Sequence, residues 1–99
     1  MTIVKNQQEF ASKVPRLIDK AIEFGFQVTL GDAFKDKRCG YGSSKSKHNR
    51  RLAIDLNLFQ GGVYLTTTEA HRPLGEWWES IGGIWGGGWD DGNHYEWPE

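Results

Sequence analysis

His48, Asp55, Asp91 and His94 are the side chains best suited to chemistry in this 99-residue chain. Imidazole nitrogens and carboxylate oxygens are ordinary zinc ligands, and a catalytic zinc keeps three protein ligands with a fourth position open to water. His48, Asp55 and His94 supply such a set. Asp91, three residues before His94, is placed to act as a general base, so the chemistry implied is metal-assisted hydrolysis. Each residue also has a plain structural reading. His48 taken alone suits a surface histidine, and Asp90, Asp91 and Asn93 around Gly92 suit an Asx-type turn. Asp55 is harder to read that way, because a carboxylate inside the apolar run 52–59 must be paired or coordinated if buried. His71 has no partner at informative spacing and is expected at a helix terminus or on the surface.

The elements that must position these residues follow from periodicity. Phe10, Val14, Leu17, Ile18, Ala21 and Ile22 recur at three- and four-residue steps and predict a helix, with Asn6 and Glu9 as a capping box and Gly25 as its stop. Pro15 predicts a kink or a later start. Phe26, Val28 and Leu30 alternate with polar residues as a strand does. Leu52, Ile54, Leu56 and Leu58 do the same and put Asp55 on the opposite face. Between these strands, 35–51 is polar, basic and glycine-containing, which predicts an irregular loop ending near His48. Gly61-Gly62 predicts a hairpin into a strand at 63–65. Thr68 is a candidate cap for a second helix running to Gly82, with Pro73 as an alternative first turn. A short final strand is expected around Tyr95 and Trp97. Helices and strands are segregated in sequence, which predicts an α+β fold: two main helices on a small antiparallel sheet, within a single domain over 1–99.

Composition excludes several classes. A formal net charge of -1 with mixed signs argues against a general nucleic-acid coat or a polybasic membrane binder. The single cysteine, Cys39, forms no intramolecular disulfide. No export signal is legible at the N-terminus, and charged residues interrupt every candidate membrane span. The expectation is a monomer made in the cytoplasm of a host cell, binding neither nucleic acid nor membrane.

The pattern Ser46-x-His48, Ala53-x-Asp55-Leu56, Trp85-Gly86-Gly87-x-Trp89 and Asp91-x-x-His94-x-Glu96 resembles the zinc peptidases that include D-Ala-D-Ala carboxypeptidases and phage L-alanyl-D-glutamate endolysins. The first two elements with a later D-x-x-H are specific in that order and spacing, and the likeness extends over 30–96. It implies a LAS-type, hedgehog-like peptidase fold with a zinc site at the sheet, zinc on His48, Asp55 and His94, a base at Asp91 and Ser46 near substrate. It also implies action on the stem peptide of peptidoglycan, as a phage-type lysin cutting L-Ala-D-Glu or as a carboxypeptidase. In place of the arginine that such peptidases carry after the first strand stands Lys35, with Arg38 nearby, so the substrate-contacting cation is one of these two. Two other classes stay open on the residues alone: a non-catalytic wall-binding module and a metal-dependent nucleic-acid enzyme.

Overall fold

A computed structural model describes residues 2–32 and 50–99. Helix α1 spans Ile3–Glu23, and the hydroxyl of Thr2 accepts a hydrogen bond from the Lys5 N–H to cap it. The expected capping box is therefore one turn late. Thr2 reaches the first free N–H groups before Asn6 can, and Asn6 lies buried inside the helix. The helix also continues through Pro15. Phe10 on one side of the proline and Leu17 and Ala21 on the other are all buried in the core, and that packing outweighs the poor local propensity. Gly25, at φ 92°, ends the helix as expected, and the Phe26 N–H bonds back to the Ala21 carbonyl at 3.0 Å.

The sheet is α+β in the predicted sense. Strand β2 (Ala53–Gln60) is its centre, with β1 (Gln27–Leu30) antiparallel along one edge. The other edge is shared: β3 (Val63–Leu65) pairs with the end of β2, and β5 (His94–Glu96) pairs with its start. Gly61 and Gly62 both take positive φ in the hairpin turn between β2 and β3. Strand β4 (Ile84–Trp85) flanks β5, and a 3₁₀ helix over Gly86–Trp89 follows it. Neither was legible in the glycine-rich sequence. Helix α2 spans Thr68–Ser80, capped by Thr67 rather than Thr68, and Pro73 sits inside it.

Period-two alternation decides which side of β2 is dry. Leu52, Ile54, Leu56 and Leu58 are buried with Phe10, Leu17, Leu74 and Trp78, joining both helices to the sheet in one cluster. Trp78 centres it, edge-on to Phe10, Tyr95 and Trp97, and its indole N–H donates to the Glu96 carbonyl at 3.0 Å. That bond locks α2 onto β5. Tyr95 points into the core, so its neighbours His94 and Glu96 project from the other face of the sheet.

Candidate functional site

Strand register brings Asp55 and His94 together. They are direct cross-strand partners on β2 and β5, and the Leu56 N–H donates to the Asn93 carbonyl at 2.8 Å to fix the pairing. The end of β1 closes on the other side: the Gly31 N–H donates to the Asp55 carbonyl and the Asp55 N–H to the Asp32 carbonyl, each at 2.8 Å. A Cβ at Gly31 would lie 2.9 Å from Asp55 Cβ, so only glycine permits this approach.

The turn before β5 positions Asp91. Its N–H donates to the Gly86 carbonyl at 2.9 Å, and the His94 N–H donates to the Asp91 carbonyl at 3.1 Å. A Cβ on Gly86 would meet the Asp91 carbonyl at 2.2 Å and His94 Cβ at 2.9 Å, which gives the first glycine of the Trp-Gly-Gly segment a physical reason. The Trp85 indole N–H donates to the Gly92 carbonyl at 2.7 Å and fastens the turn from beneath. Asp90, in the left-handed region at φ 58°, accepts a hydrogen bond from the Thr68 hydroxyl at 2.8 Å. Asp90 thus ties the turn to α2, while the half-exposed Asp91 carboxylate stands beside His94.

Around His94, which is 8% exposed, three carboxylates converge. Nε2 donates to Glu96 Oε1 at 2.7 Å, a short charge-assisted bond. Nδ1 faces Asp55 Oδ1 at 3.5 Å and Asp91 Oδ2 at 3.9 Å. Burial by itself would lower the pKa of this imidazole, but interaction with Asp55 and then Glu96 outweighs burial and raises it to about 9. The site favours a positive charge at this ring.

Asp55 and His94 have the spacing of two zinc ligands. Two ligands of a tetrahedral zinc, each ~2.0–2.1 Å from the ion, stand about 3.3 Å apart, close to the separation of His94 Nδ1 from Asp55 Oδ1. Among the described residues no set of three His, Cys, Asp or Glu side chains forms a metal-binding group. Asp55 and His94 supply two donors; His48, the third expected ligand, lies outside the described residues, as do Ser46, Lys35 and Arg38.

Three features were missed or misplaced by sequence reasoning. His71 stands in the first turn of α2 but is not on the surface: it is 3% exposed and shares a 2.8 Å hydrogen bond with Tyr95 Oη. Burial lowers its pKa to about 4, so the ring is neutral at neutral pH. The missed signal was its position within the apolar face of α2, three residues before Leu74 and seven before Trp78. Trp89 is 54% exposed and sits edge-on to His94, with ring centroids 5.7 Å apart. A cleft of about 640 Å³ opens beside Asp91, between 64–72 and 90–93, lined by Thr68, Arg72 and Asn93 among others. Asn57, two residues from Asp55 and on the same sheet face, accepts hydrogen bonds from Asn93 and Tyr64 at 3.2 and 3.4 Å and carries the polar surface toward that cleft.

A family model described as D-alanyl-D-alanine carboxypeptidase matches residues 40–97, more than half of the chain. The matched span contains Ser46, His48, Asp55, Asp91 and His94 and begins after Lys35 and Arg38, which lie outside it. No curated protein matches the chain.

Proposed function

The chain belongs to the D-alanyl-D-alanine carboxypeptidase family of peptidases, and from that premise we propose a zinc-dependent hydrolase of an amide bond in the peptidoglycan stem peptide. The observation that carries the zinc assignment is the convergence of Asp55 Oδ1 and Asp91 Oδ2 on His94 Nδ1, at 3.5 and 3.9 Å. His48, Asp55 and His94 would hold the ion. When bound, zinc supplies Lewis-acid activation of a water molecule and of the scissile carbonyl.

The chain's own residues do the rest. Asp91 takes a proton from the attacking water and returns it to the leaving amine. Its half-exposed carboxylate suits that exchange, and Asp90 is held by Thr68. Ser46 and either Lys35 or Arg38 orient the substrate. The cleft beside Asp91 gives the peptide chain somewhere to lie on one side of the bond.

For the bond itself we favour L-Ala-D-Glu, cut by a phage-type lysin. The sequence of 35–51 holds Lys35, Arg38, Lys45, Lys47, Arg50 and Arg51, which suit a stem with carboxylates on both sides of the cut. The description of the matching family favours the carboxypeptidase reading instead. Mass spectrometry of digested stem peptides separates the two. Fragments that begin at D-Glu support the endopeptidase, and release of free D-Ala alone supports the carboxypeptidase. Elemental analysis of the purified protein should give about one zinc per chain. Full zinc occupancy in His48→Ala, Asp55→Ala and His94→Ala alike would end the ligand assignment.

A further inference from the structure

We propose that Glu96 is the positioning residue of this centre: by holding His94 Nε2 it commits Nδ1, and only Nδ1, to the metal. The inference rests on the zinc reading above and deepens it. Glu96 is 8% exposed, and a carboxylate that deep in a fold must be spent on a specific partner. Its Oε1 lies 2.7 Å from His94 Nε2, whereas Asp55 Oδ1 and Asp91 Oδ2 lie 3.5 and 3.9 Å from Nδ1. The first distance is that of a strong hydrogen bond; the other two are longer than one and leave the width that two ligands of a common ion require.

Backbone geometry makes this arrangement rigid. His94 and Glu96 are two apart on β5, so they share a face, and Glu96 cannot drift because β5 is paired on both edges, with Ala53 of β2 and Ile84 of β4 opposite it. The Glu96 carbonyl is further pinned by the Trp78 indole. Ala53, fully buried, is the smallest side chain that could stand across from Glu96, and its methyl leaves the carboxylate room to reach back along the strand to His94. The alanine of the Ala-x-Asp segment and the glutamate of the His-x-Glu segment are thereby parts of one device. A histidine ligand whose second nitrogen is held by a carboxylate is fixed in ring orientation and tautomer, and loss of such a partner weakens metal binding by about 10–100-fold.

The test measures zinc affinity by competition with a chelating dye on the full chain, for wild type, Glu96→Ala and Glu96→Gln. Glu96→Ala should bind zinc about 10–100-fold more weakly, and Glu96→Gln, which keeps an acceptor oxygen in place, should recover most of the loss. Nitrogen-15 spectra of the zinc-loaded wild type should show Nδ1 of His94 metal-bound and Nε2 protonated. Zinc on Nε2, or wild-type affinity in Glu96→Ala, overturns the inference while leaving the peptidase reading intact. A wild type that takes up no zinc overturns both. Should Glu96→Ala fail to fold, Glu96→Gln and the wild-type spectra still decide.

Discussion

His71 and His94 are both buried, stand within one small sheet-and-helix unit, and touch adjacent residues of the same strand, yet they are opposites. His71 meets the phenol of Tyr95 on the helix side of the sheet, and burial lowers its pKa to about 4. On the other side, burial acts on His94 in the same direction, but Asp55 and Glu96 outweigh it and raise the pKa to about 9. Desolvation is common to both; what faces the ring differs. A histidine ringed by carboxylates keeps its proton, whereas one buried beside a neutral hydroxyl is a core residue with a satisfied nitrogen.

The largest expected effect breaks the pair apart by substitution. His94→Ala and Asp55→Ala should lose bound zinc and fall to background hydrolysis of peptidoglycan. His71→Gln should keep its zinc and most of its turnover. Equal loss of metal in all three would erase the distinction drawn between the two rings.

Next in size is the separation of Asp91 from Asp90. Asp91→Asn should retain zinc while turnover drops by about a hundredfold, the scale of losing a general base. Asp90→Asn should cost far less, because that carboxylate accepts a hydrogen bond from Thr68. A reversed ranking, read from steady-state rates, would transfer the base to Asp90.

The third effect is on stability and has a definite sign. His71 binds a proton more readily unfolded than folded, so its burial stabilises the fold above about pH 6.5 and that contribution is lost as pH falls toward about 4. The loss is at most about 3 kcal/mol for a shift of this size. Denaturant titrations of chelated protein should show it, and His71→Gln should flatten the curve in that window. His94 acts oppositely in the zinc-free chain: its raised pKa stabilises the fold below about pH 6.5, and the contribution disappears as pH rises through about 9. An unchanged acid limb in His71→Gln would show that burial does not hold the ring neutral.

The smallest is Thr68→Val, which removes the hydroxyl donated to Asp90 at 2.8 Å. A cost of about 0.5–1.5 kcal/mol in stability is expected, with turnover nearly unchanged. A drop in turnover as large as that of Asp91→Asn would mean the tether also sets the position of the base.

Much of this contrast was legible before the fold. Alternation from Leu52 to Leu58 put Asp55 on the face opposite the leucines, and Asp91-x-x-His94 set a carboxylate one short turn before a histidine; the register of β2 on β5 then set Asp55 across from His94. The sheet class and the Gly61-Gly62 hairpin were read from the same kind of signal. His71 was not, because its partner Tyr95 is 24 residues away and only tertiary packing brings them together. Helix α1 began a turn early for a related reason: Thr2 and Asn6 are both good caps by type, and burial of Asn6 decides between them. The roles of Gly31 and Gly86 depend on close backbone approaches that no spacing rule reveals.

One digest tests zinc-dependent cleavage of the stem most directly. Purified peptidoglycan would be incubated with the protein as isolated, after chelation, and after chelation followed by added zinc, and the stem fragments read by mass spectrometry. The expected result is cleavage of a stem amide that stops on chelation and returns with zinc. Cleavage indifferent to the chelator, or no new amine in any of the three samples, would contradict it.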